Sequence, residues 1–212
     1  SAGPDGRIGT ILANGRIQAD IEASGPITSI TSTTSDISGR IQTTDTDGTL
    51  GTLRAGRDLL VDATILADAT LISAGRHIGR AEDLNDRALD IRGNLGSATA
   101  VGQIFSDILV GQNITGTISS GRAVSKPGND RVSRGDIVAF GSINALSFMG
   151  DFNGNISSLS GGIGTITITE GSFRKGNLIK ALDGSIGSIV ISGGDLLGDV
   201  FTAGSIGSIR ML

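Results

Sequence analysis

Apolar residues along this chain recur in two short patterns. The first starts with a small or polar residue and an Asp or Asn, then an apolar residue and further inward-looking positions at spacing two. It reads Ser35-Asp36-Ile37-Ser38-Gly39-Arg40-Ile41. Copies start at Asp58, Asp90, Asn113, Asp136, Asp151, Asn177 and Asp195, and a weaker one runs from Arg16 to Ile21. Alternation at period two around a small middle residue predicts a short strand with one buried face.

The second pattern is Gly, any residue, Ile or Leu, two small or polar residues, Ile or Leu. It stands at Gly6-Arg7-Ile8-Gly9-Thr10-Ile11, Gly25 to Ile30, Gly48 to Leu53, Gly141 to Leu146, Gly161 to Ile166, Gly184 to Ile189 and Gly204 to Ile209. Its two apolar residues lie three apart, which in a straight strand places them on opposite faces. Since both are always Ile or Leu, the pattern predicts that both are buried, with a corner between them. Only Ala81 to Leu89 reads as helical, with Ala81, Leu84 and Ala88 on one face.

From Asp36 to Asp195 the first pattern recurs at seven intervals of 15 to 32 residues, averaging nearly 23. A unit of two or three short strands with corners between them cannot bury its own inner face. Stacked on its copies it can. The expected fold is therefore all-β: a parallel β-helix, or β-solenoid, of about nine coils of roughly 20–23 residues forming one domain over residues 1–212. At each corner the leading Asp or Asn is expected to cap backbone N–H groups and to bond its neighbours above and below. Pairs such as Asp195 with Asp199, or Asp136 with Asp151, become candidate neighbours on stacked coils.

These residues resemble the right-handed parallel β-helix of pectate-lyase-like enzymes, tailspikes, autotransporter passengers and large bacterial surface repeat proteins. The GDLLGDV run at Gly194–Val200 and the GSIGSI runs at Gly184 and Gly204 carry the likeness, which covers most of the chain and matches long Gly- and Ile-rich surface repeats best. It implies a rigid module of a bacterial cell-surface or secreted protein. The left-handed hexapeptide helix fits less well, because the apolar spacing is not six.

Composition narrows the chemistry. Of 212 residues, 34 are Gly, and there is no Cys, Trp or Tyr. Without Cys there is neither a disulfide framework nor a thiolate metal site. The net charge of −4 argues against nucleic-acid binding, and no apolar run is long enough for a membrane span. His77 is the single His, which removes zinc pairs and argues against a nucleophile–His triad; it reads as a turn residue. The absence of Trp and Tyr weighs against a carbohydrate enzyme, whose sites stack sugar faces on aromatic rings.

Two insertions interrupt the pattern, at residues 79–89 and 122–134. The second gathers Arg122, Lys126, Arg131 and Arg134 and forms a candidate contact site for an anionic ligand. Asp45-Thr46-Asp47-Gly48 resembles the start of a calcium loop, which makes Asp45 and Asp47 candidate Ca²⁺ ligands, although the distant Glu of such a loop is missing. Ser1 to Arg7 leads straight into a repeat and Gly204 to Leu212 closes in one, so the expectation is a fragment of a longer chain, or an end covered by a partner.

The expected function is structural or adhesive: a stiff extracellular spacer or attachment element whose partners are neighbouring repeats, a second copy stacked end to end, or surface polysaccharide. A polysaccharide-active enzyme with Asp residues along one groove is the alternative. Ice binding by Thr rows is a minor one, since Thr31, Thr33, Thr34, Thr43 and Thr44 read as local clusters rather than rows.

Overall fold

The computed structural model of the chain describes residues 6–80, 88–121, 132, 133 and 135–212. Its strands form two ten-stranded parallel sheets and a narrow third face. The first sheet takes one strand from every coil, from Ile8–Ala13 at one end to Ile206–Met211 at the other. Partner residues in neighbouring strands are 19 to 29 positions apart, as in Ile8↔Ile27 and Ile114↔Ile143. The chain is a parallel β-solenoid of about nine turns, as the repeat predicts. At about 4.8 Å per strand spacing, nine steps rise roughly 43 Å.

Two inward columns of apolar residues line the first-sheet side of the core. One runs Ile27, Leu50, Ala69, Leu95, Ile114, Ile143, Ile163, Ile186. Three positions on stands the column of Ile30, Leu53, Ile72, Ala98, Ile118, Leu146, Ile166 and Ile189. All sixteen residues are buried. The second sheet faces them with Ile41, Ala63, Leu89, Ile108, Ile137, Ile156 and Ile179. Toward the C-terminal half, Phe148, Phe152 and Phe173 add a stack of rings, with Phe152 and Phe173 nearly parallel at 6.0 Å.

The expected corner inside the second pattern is absent. Both apolar residues lie in one strand, as in Ile186–Ser192, and the pleat itself is interrupted. Register passes from Ile186↔Ile206 to Ser188↔Ser208 and skips the glycine between. That glycine is pressed against the preceding coil: a Cβ on Gly164 would lie 2.2 Å from the Asn144 carbonyl oxygen. The break in alternation does not require glycine, since Thr28 and Asn144 hold the same place between buried Ile27 and Ile30 and between buried Ile143 and Leu146; glycine there admits the close approach of the stacked backbones.

The Asp-led pattern is a second correction, because it merges three different corners. Asp36, Asp58, Asp151 and Asp195 precede the narrow face, Asp136 precedes the second sheet, and Asn113 precedes the first. Asp90 leads nothing; it points outward from the middle of the strand Ala88–Ile91. Asp136 and Asp151 therefore belong to different columns, as do Asp195 and Asp199.

The helix expected over 81–89 is not found at its C-terminal end. Ala88 and Leu89 open a strand in which Leu89 pairs with Ala63 and Ile108, so cross-coil pairing and a place in the core override local helix preference. Residues 81–87 lie outside the described residues, and so do Arg122, Lys126, Arg131 and Arg134. Among the described residues no helix is long and apolar enough to cross a membrane.

Candidate functional site

The three corners are built alike, and each is built between coils. A corner N–H lies outside the strand ladder and needs another acceptor. It finds one on the side chain of the equivalent residue one coil earlier. Before the first sheet, Asn94 N–H donates to Asp68 Oδ1 at 2.6 Å, Asn113 N–H to Asn94 Oδ1 at 3.1 Å, and Ser142 N–H to Asn113 Oδ1 at 2.8 Å. Before the second sheet, the N–H groups of Asp136, Asn155 and Leu178 donate to Asp107, Asp136 and Asn155 at 2.8, 2.7 and 3.0 Å. Asp and Asn thus both cap and stack, as expected from the sequence: the Asn94, Asn113 and Asn155 side-chain amides also donate to Asp68, Asn94 and Asp136 one coil earlier.

On the narrow face the column reads Arg16, Asp36, Asp58, His77, Gln103. Here the acids are buried and carry arginines. Asp36 lies 3.4 Å from Arg16 Nη2 and 3.9 Å from Arg57 Nε. Asp58 accepts Arg76 Nε at 2.7 Å on one oxygen and Arg76 Nη2 on the other. Burial alone would push the Asp58 carboxyl up, but the Arg76 hydrogen bond and charge, with the His77 N–H, outweigh it and hold the group below its usual range. The same pair holds the Arg76 guanidinium above its usual value, chiefly through the hydrogen bond to Asp58.

Beside this column a recess of about 510 Å³ opens where the narrow face turns into the second sheet. Arg16, Asp20, Asp36 and Arg80 bring charge to it, and Leu60 brings an apolar patch. Gly39 shapes its wall: its φ of 115° suits glycine, and a Cβ there would sit 2.2 Å from the Ala19 carbonyl oxygen. The arrangement can offer hydrogen bonds to a small polar molecule. The described residues contain no group of three or more His, Cys, Asp or Glu able to hold a metal ion.

Sequence reasoning did not find this recess. Arg16, Asp20 and Asp36 come from two copies of the first pattern and Arg80 from outside it, and nothing in the linear spacing joins them; the nearest signal was the glycine of Ser38-Gly39-Arg40. Asp45 and Asp47, the candidate calcium ligands, sit exposed on a turn closed by the Gly48 N–H to the Asp45 carbonyl at 2.9 Å.

Sheet register sets outward polar residues in rows; of the clustered threonines only Thr31 joins one, and Thr43 is buried. Thr31 stands in line with Arg54, Ser73, Thr99, Ser119, Ser147 and Thr167. A parallel row contains Thr10, Ser29 and Thr52, and further along Thr165, Ser188 and Ser208. Geometry thus defines the class, a parallel β-solenoid with capped corners. No known protein family, curated protein or solved structure matches the chain.

Proposed function

We propose that the chain is a structural module, a stiff spacer or attachment element of a bacterial cell-surface or secreted protein. One observation carries this reading: every described coil is tied to the next both by parallel ladders and by corner caps, around one continuous apolar core. Such a stack resists bending, because bending must open several hydrogen bonds and part the apolar columns together. Its partners are further parallel coils, from neighbouring repeats or from a second copy.

The test pairs shape with chemistry. Small-angle scattering should give a rod, and incubation with pectin, alginate and glycosaminoglycan, with and without Ca²⁺, should give no turnover. Turnover on any of them would replace the structural reading with the enzymatic one.

The in-register hydroxyl rows favour a second reading, binding of an ordered surface such as ice by the first sheet. Leu12, Arg54, Val190 and Arg210 interrupt one row and Leu71 and Ala145 the other, which ranks it below the first. Thermal hysteresis in dilute protein would raise it; its absence would remove it.

A further inference from the structure

We propose that His77 makes the joint between its coil and the next one acid-labile. In the narrow-face column, the Asp58 N–H donates to Asp36 Oδ1 at 3.1 Å, the His77 N–H donates to Asp58 Oδ1 at 3.2 Å, and the Gln103 N–H donates to His77 Nδ1 at 3.0 Å. The imidazole occupies a place that Asp, Asn or Ser fills at comparable corners. Among these cap types it alone changes from acceptor to donor near neutral pH.

The bond fixes the tautomer. A backbone amide always carries its hydrogen, so Nδ1 must be bare and the ring proton sits on Nε2. Protonation would set an Nδ1–H against the Gln103 N–H, donor facing donor. The ring has little room to turn away: a Cβ on Gly102 would lie 2.6 Å from Nδ1, and the Phe105 ring centre is 5.5 Å off.

The charges around the ring do not rescue the protonated form. Asp58 on the preceding coil favours it, but Asp58 is already bonded to Arg76, and Arg76 opposes it. Arg57 and Asp36 lie one step beyond, and Gly102 to Phe105 on the following coil carry no charge. Burial is the largest influence, and the His77 pKa lies below its usual value. The sign follows. With the folded value depressed, the cap's contribution is complete above the unfolded pKa of about 6.5 and is lost as pH falls from there through the folded value.

On this face the joint is a single isolated pairing, as it also is between Leu59 and Ile78 and between Phe152 and Phe173. There the coils meet through the isolated pairing Ile78↔Ile104, with the Ile78 N–H donating to the Gln103 carbonyl and the Phe105 N–H to the Ile78 carbonyl. Elsewhere these coils are held by Leu89↔Ile108 in the second sheet and by Leu95↔Ile114 and its neighbours in the first. Acid therefore opens one face and leaves the rod standing.

Hydrogen exchange of the Gln103 and Phe105 amides, corrected for intrinsic rates, tests it between pH 7.5 and 4.5 on the whole chain. Gln103 should lose protection at least tenfold on acidification in the parent and keep it in His77→Asn, which still offers an acceptor but does not titrate. Unchanged protection in the parent, or an equal loss in His77→Asn, overturns the proposal. Nitrogen shifts of the imidazole in the parent provide a check that needs no variant. The Nε2–H form at pH 7.5 supports the inference, and the Nδ1–H form overturns it.

Discussion

Asp136 Oδ1 receives the backbone N–H of Asn155 at 2.7 Å, one full coil further along the chain. Asn155 then receives the N–H of Leu178 at 3.0 Å. The Asp and Asn side chains that cap these corners therefore do not serve their own strands. They serve the coil above, and cohesion in this molecule is a property of neighbouring pairs of coils.

Asp136→Ala should accordingly destabilise the fold by about 1–2 kcal/mol, because it removes a cap and strands an N–H at the corner. Asp136→Asn keeps an acceptor oxygen and should cost only a few tenths of a kcal/mol. Denaturant titration of both variants checks the difference, and equal losses would mean that charge rather than the cap is what counts.

Glycines at one motif position should differ in their tolerance of alanine. A Cβ on Gly164 would collide with the Asn144 carbonyl oxygen, whereas one on Gly9, in the first coil, meets nothing within 4 Å. Gly164→Ala should lower the melting temperature by several degrees, since overpacking of this kind costs about 1–3 kcal/mol. Gly9→Ala should melt like the parent or slightly above it.

The stacked Ile columns were legible because GxIxxI fixes both inward positions at once. Three further copies were hidden by their own residues. Ala69 and Ala98 take apolar column places with a side chain too common to signal, and Ile114 and Ile118 are spread by one extra residue that the ladder absorbs as a register shift. The three corners fused into one pattern because an N–H cap asks the same of a side chain wherever the chain turns. The uneven intervals were the visible trace of that fusion. The recess beside Asp36 was out of reach, since Arg16, Asp20, Gly39 and Arg80 meet only once the register of four coils is known.

Acid should find Asp58 before it finds the core. Its pKa is held below the usual value near 3.8, so its contribution is complete above that pH and disappears as pH falls through the depressed folded value. Arg76→Gln removes the main influence holding it down and leaves burial, which pushes the other way. The variant's acid-unfolding midpoint should move to higher pH than the parent's. A midpoint that does not move would show that another group governs acid unfolding.

The strongest discrimination comes from one column, read at two heights. Ile186 and Ile206 are register partners with the same motif around them, but Ile186 is fully buried between Ile163 and Ile206, whereas Ile206 is 37% exposed. An Asp at 186 has no cation within the apolar core to pair with, and burying an unpaired carboxylate costs several kcal/mol or forces its protonation. Ile186→Asp should therefore abolish cooperative melting or lower its midpoint by more than any other change considered above. An Asp at 206 can reach water, and its loss is confined to contacts with one neighbouring coil, so Ile206→Asp should fold with a modest decrease. If the two variants melt together, the apolar columns are not what holds the coils in line, and the rigidity argued from them goes as well.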